Sequence, residues 1–110
     1  MSILPKQLKR LIQRLTILPG VGPKSAQRMA LYILQNKKPQ TEELAESLTE
    51  CLQNLLKCQQ CNNFSDTPIC QICADPNRNH EMICIVESLS DLISIEQTGI
   101  YQGLYFVLSG

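Results

Sequence analysis

A chain of 110 residues, 44% of them hydrophobic, has room for one domain or for two or three very small modules. No apolar run nears the roughly 20 residues that a membrane span needs. The formal net charge of zero hides a separation by position: residues 1–38 carry Lys6, Lys9, Arg10, Arg14, Lys24, Arg28, Lys37 and Lys38 with no acidic residue, and the rest sets Lys57 and Arg78 against ten acidic residues.

The N-terminus mixes charge with leucine and has no apolar stretch followed by a cleavage site, so a cytoplasmic protein is expected. Leu8, Leu11, Ile12 and Leu15 recur at helical spacing and predict an amphipathic helix from near Pro5. Residues 18–23, Leu-Pro-Gly-Val-Gly-Pro, break it. Pro23 suits a first helical position, and a second helix should run to about Gln35, burying Ala26, Met29, Ala30 and Ile33. Asn36-Lys37-Lys38-Pro39 should end that helix. Thr41 is then the expected N-cap of a third, with Glu42 and Glu43 in its first turn and Leu44, Leu48, Leu52, Leu55 and Leu56 carrying it to about Lys57. Beyond the cysteine-rich stretch the period changes. Residues 82–86, Met-Ile-Cys-Ile-Val, and 104–108, Leu-Tyr-Phe-Val-Leu, have the length and continuity of buried strands. Between them Ser90 should cap a short helix closed by Gly99, which makes a right-handed βαβ unit with parallel strands.

Cys58, Cys61, Cys70 and Cys73 form two CxxC pairs separated by eight residues. Each pair makes a tight knuckle that aims two sulfurs at one point, and two knuckles close a tetrahedron around a zinc ion. So short a segment has no core of its own, and zinc supplies roughly 10–16 kcal/mol in finger peptides. Four thiolates leave no position for a water, so the ion is structural. Two dithiols of thioredoxin type are disfavoured by the turn-rich centre, and unrelated cysteines by the double spacing; an iron–sulfur cluster remains open on spacing alone. Cys51 and Cys84 read as core residues and His80 as a solvated loop residue.

The turn at 18–24 leads straight into a helix N-terminus, where unpaired N–H groups and the positive end of the dipole favour a phosphate. Gly20 and Gly22 permit close approach of a backbone, Lys24 and Arg28 share a face, and Ser25 adds a hydroxyl. With eight basic residues around it, this points to sequence-nonspecific DNA binding; a plain helical hairpin is the structural alternative. Residues 18–28, Leu-Pro-Gly-Val-Gly-Pro-Lys-Ser-Ala-Gln-Arg, resemble the helix-hairpin-helix motif of the bacterial RecR family. The order also resembles that family: a four-cysteine finger follows, and residues 83–92 are similar to the opening strand, acidic residue and helix of a Toprim fold.

The resemblance implies an α+β, multi-module chain: a helical region with the hairpin at 1–57, a four-cysteine zinc finger at 58–73 and an incomplete Toprim domain at 80–110. It implies a bacterial, nucleoid-associated protein of gap repair that acts with RecO and RecF to help load RecA, and that assembles into ring-like clamps on DNA. Gly20, Gly22, Lys24, Ser25 and Arg28 become the DNA-contacting group, and Glu87 lies on the surface that meets RecO. Family members continue well past residue 110, so a fragment or truncated product is expected. The alternative is a Toprim-type nucleic-acid enzyme with further carboxylates in a missing C-terminal region. Such enzymes hold metal on a glutamate and a later Asp-x-Asp pair. Asp66, Asp75 and Asp91 each lack that second aspartate, so no catalytic residues are expected.

Overall fold

The computed structural model describes residues 3–36 and 38–108. Lys37, part of the expected helix stop, lies outside the described residues, as do the two residues at each end of the chain. The chain divides into two compact units, Met1–Thr49 and Glu50–Gly110.

The first unit is helical. α1 (Lys6–Leu15) follows Pro5, whose carbonyl accepts from the Lys9 N–H at 3.0 Å. Leu8, Leu11, Ile12 and Leu15 are its half-buried face, and no side chain on it is fully buried. The helix closes with tightened bonds from Thr16 to Gln13 and from Ile17 to Arg14. In the turn that follows, the Val21 N–H donates to the Leu18 carbonyl at 3.1 Å and Gly20 adopts φ +79°. Pro19 before a glycine at positive φ is the residue preference of a type II turn. α2 (Pro23–Asn36) packs on α1 and buries Ala26 and Ala30, both 0% exposed. Full burial falls on these two small side chains, one turn apart, and leaves Met29 exposed and Ile33 half-buried, where periodicity predicts burial for both.

α3 (Lys38–Asn54) starts earlier than expected. Pro39 lies in its first turn, where a missing N–H costs nothing, so a residue read as a terminator is an opener. Thr41 is therefore inside the helix and does not cap it. Its hydroxyl donates to the Ile33 carbonyl, in the last turn of α2, at 2.9 Å. α3 has no buried side chain, with Leu44, Leu48 and Leu52 all exposed, and Cys51 is exposed as well instead of lying in a core. The helix stops at Asn54, short of Lys57. Leu56–Lys57 instead form a strand, β1, paired antiparallel with β2 (Phe64–Ser65).

That hairpin carries the first CxxC, and the second runs into a single helical turn, α4 (Gln71–Ala74). β3 (Asn79–Val86) and β4 (Gly103–Val107) are parallel, in the register Ile83 to Leu104 through Val86 to Val107, with an irregularity between Asn79 and Ile83. α5 (Leu89–Gln97) connects them. Its cap is Ser88, not Ser90: β3 ends at Val86, which leaves Ser88 extended so that its hydroxyl accepts the Asp91 N–H at 3.3 Å. Gly99 follows the helix at φ +72°. Val86, Leu92, Tyr105 and Val107 form the core, with Cys84 and Ile95 packed against it. A Cβ on Gly103 would lie 2.8 Å from the Met82 Cβ and run into the Tyr101 ring, so only glycine fits at the start of β4. No described helix is long and apolar enough to cross a membrane.

Candidate metal centre and nucleic-acid hairpin

Cys58, Cys61, Cys70 and Cys73 are buried, free of disulfides and gathered so that their sulfurs all lie within 4.8 Å of one another. The Cys61 and Cys70 sulfurs, one from each knuckle, are 3.6 Å apart. A tetrahedral zinc with bonds of about 2.3 Å has edges of about 3.8 Å, so the cage fits one such ion. The first knuckle is shaped by β1 and β2: the Cys58 N–H donates to Asn63 O at 2.7 Å and the Asn62 N–H to Cys58 O at 3.0 Å. In the second, Cys70 stands at the N-cap of α4 and its sulfur accepts the Cys73 N–H at 3.5 Å. A helix N-terminus, the setting that activates a reactive thiol, therefore stands at the second pair. It serves one four-sulfur group, not a separate dithiol.

Backbone donors surround the sulfurs. The Cys70 N–H points to the Cys58 sulfur at 3.3 Å and the Asn63 N–H to the Cys61 sulfur at 3.4 Å. Such bonds orient ligands and offset thiolate charge. Burial pushes the Cys61 thiol up to about 11, and pushes Cys73 well above the usual thiol range, where the neighbouring sulfurs add to the shift. Burial acts the same way on Cys58, but N–H groups of Cys70, Cys61 and Gln60 outweigh it and hold that thiol down at about 6. Packed thiols of this kind resist ionising together, and a dication relieves the repulsion. When bound, a four-thiolate zinc contributes folding free energy and offers no open coordination position.

The hairpin at 18–24 is a separate candidate. Lys24 and Arg28 are exposed and Ser25 half-buried, on the first two turns of α2. The Ala26 N–H is bonded to Gly22 O at 2.9 Å, and the first turn of α2 contains no acidic side chain. Unlike Gly20, Gly22 has no positive φ, and a Cβ there would meet nothing within 4 Å. Among the described residues no carboxylate lies in ion-pair contact with Lys24 or Arg28. Glu87 is exposed at the C-terminal end of β3, just before the Ser88 cap. His80 is exposed but belongs to β3, not a loop, with Nε2 2.7 Å from Asp75 O.

Residues 8–52 match the helix-hairpin-helix family of RecR, and residues 57–75 match the RecR four-cysteine zinc finger domain. The recombination protein RecR of Psychrobacter cryohalolentis is 47% identical over 108 residues, covering 98% of this chain. The chain belongs to the RecR family. The protein of the same name from Chromobacterium violaceum is 49% identical over 106 residues, 96% of this chain, and that from Legionella pneumophila 46% over 103 residues, 94% of it. These matches cover 55%, 54% and 52% of the three relatives, so the chain spans about half the length of the curated relatives it matches. The RecR finger match brackets all four cysteines, which makes zinc the ion for this cage rather than an iron–sulfur cluster.

Two features of this RecR-family chain escaped the sequence reading. Arg78 donates to the carbonyls of Tyr101 and Gly103 and pairs with Glu96, which also accepts from the Tyr105 hydroxyl at 2.8 Å. These residues are far apart in sequence and show no local pattern. Asn62, at φ +69°, is the one described non-glycine residue with positive φ. The Asn62-Asn63 pair after the second cysteine was the available signal, because asparagine tolerates that conformation.

Proposed function

We propose that the chain is a non-catalytic, sequence-nonspecific DNA-binding scaffold of recombinational repair. The observation that carries this reading is Gly22. Its backbone needs no glycine and its surroundings leave a Cβ free space, so nothing within the described residues accounts for it. An outside phosphate approaching the hairpin backbone does account for it, and Lys24 and Arg28 stand beside that approach with no carboxylate partner among the described residues. Backbone N–H groups, Ser25 and the two cations hold phosphate oxygens and read no bases.

Gly22→Ala should leave the helical unit as stable as before and weaken binding to a gapped duplex. Unchanged affinity would return the hairpin to a structural role. In the domain arrangement we propose, the helix-hairpin-helix region is 1–57, the finger 58–73 and a partial Toprim unit 80–110. Cys58, Cys61, Cys70 and Cys73 are the zinc ligands within it. The parallel pairing of β3 and β4 around α5 supports the Toprim reading. Glu87, at the strand end, is the proposed contact with RecO. We also propose RecF as a further partner, help in loading RecA at gaps, homo-oligomeric assembly and a nucleoid location, each supported by family membership alone. Glu87→Lys should abolish co-purification with RecO and leave DNA binding intact; loss of both, or of neither, sinks the assignment. Among the described residues the four-cysteine cage is the one group of three or more His, Cys, Asp or Glu placed to hold a metal. Magnesium-dependent cleavage abolished by Glu87→Gln would favour an enzyme instead.

A further inference from the structure

Strand β4 has two edges. On one, the Leu108 N–H continues the ladder to Val86 O at 2.9 Å. Hydrogen-bonding groups of successive residues point to opposite edges, so the N–H and C=O of Val107 face away from β3. A buried edge of this kind must find partners, and Val107 is 0% exposed. Both partners come from the first zinc knuckle. The Val107 N–H donates to Cys61 O at 2.9 Å, and the Asn62 side-chain amide donates to Val107 O at 3.0 Å. One partner is a candidate zinc ligand and the other is the next residue.

Asn62 makes this possible through its backbone as well as its side chain. At φ +69° it turns the chain back toward Cys58 while its amide stays directed at β4. Glycine would allow the turn but has no amide. The second knuckle reinforces the junction, since Ile72 of α4 packs against both the cysteine cluster and the core of Val86, Leu92, Tyr105 and Val107.

We infer that Asn62 is a positioning residue that couples metal loading at the four-cysteine site to the order of the β3–α5–β4 unit, by holding the first knuckle as the edge partner of β4. The knuckle keeps its shape only when its sulfurs are gathered, and it completes the sheet edge only in that shape. Loss of the metal, or oxidation of the thiols to disulfides by a peroxide, then withdraws both partners of Val107. The zinc site is in this sense part of the sheet.

The test is hydrogen exchange on the whole chain, zinc-loaded and after chelation, for the wild type, Asn62→Gly and Asn62→Asp. Glycine and aspartate both tolerate positive φ, and neither side chain donates a hydrogen bond. The reporter is the Leu108 amide, which bonds β3 and not the knuckle. In the wild type, chelation should speed its exchange about tenfold or more, as a local opening becomes accessible. Both variants should still hold one zinc per chain by elemental analysis. Their Leu108 amide should exchange at close to the chelated wild-type rate even when zinc is bound. Equal Leu108 rates in loaded and chelated wild type overturn the inference, as does full zinc-dependent protection in the variants. Variants that hold no zinc also overturn it, because Asn62 would then serve the metal cage itself.

Discussion

The two units are held together by different physics. In the helical unit the fully buried side chains among the described residues are two alanines, and no ion pair or metal cage joins α1 to α2. Its buried surface comes from small side chains and half-buried leucines, while its exposed surface is left to cations. In the second unit the buried side chains are mostly sulfur or hydrogen-bonded, four cysteines and the Tyr105 hydroxyl on Glu96, with the half-buried Arg78 on two carbonyls beside them. Thin apolar packing frees a surface for binding, whereas chemistry that needs a metal and an exact polar network ties sequence to one local geometry. Insults that destroy one unit should spare the other.

The largest effect tests the metal. Cys70→Ser should abolish zinc binding, which is worth roughly 10–16 kcal/mol in finger peptides, and erase amide protection through residues 56–74. Protection in α1 and α2 should persist by hydrogen exchange; joint collapse would break the contrast. Next is the helix contact. Ala26→Leu puts a large side chain at a fully buried position of α2 and should cost about 1–3 kcal/mol in the helical unit, without altering zinc content.

A smaller effect lies in the polar network. The Arg78 guanidinium, against a lesser opposing effect of burial, holds the Glu96 carboxyl below its ordinary value of 4.5. The folded state therefore binds this proton less readily than the unfolded chain. The stabilisation is complete above about 4.5 and is lost as pH falls through the lower folded value. Glu96→Gln should cost about 1–2 kcal/mol at neutral pH, allowing for a side chain that is 28% exposed, and the difference from wild type should shrink on acidification in denaturant titrations.

The smallest stability effect pairs with a large functional one. Lys24→Glu with Arg28→Glu should shift stability by no more than about 0.5 kcal/mol, because both side chains are exposed. The same change should weaken binding to unrelated DNA sequences alike and reduce the salt slope by about two, one for each cation that meets a phosphate. A large drop in stability would mean that the cations serve the fold.

Much of this was legible before any coordinates, where the signal is local. The CxxC spacing named the cage because a knuckle is built by neighbours in sequence, and the change of period after residue 80 named the βαβ unit. The misreadings share a cause. Pro39, Thr41 and Ser90 each have chemistry that fits more than one position near a helix end, and the choice depends on what the preceding element leaves exposed. Leu56 and Lys57 continue a helical pattern on paper, yet join β1 because Phe64 and Ser65 offer a ladder.

The sequence by itself determined the module order, the four sulfurs, the basic hairpin and the two parallel strands, since each is written in a local run, a short spacing or the order of neighbouring elements. Only the tertiary structure decided that Met29 is exposed and Ile33 half-buried beside the buried Ala26 and Ala30, that Arg78 reaches Glu96, and that Asn62 and Cys61 complete the edge of β4 at Val107. The last two pairings join residues from 18 to 46 positions apart. Side chains so distant leave no periodic trace, and it is the folded chain's need to satisfy buried polar groups that brings them together.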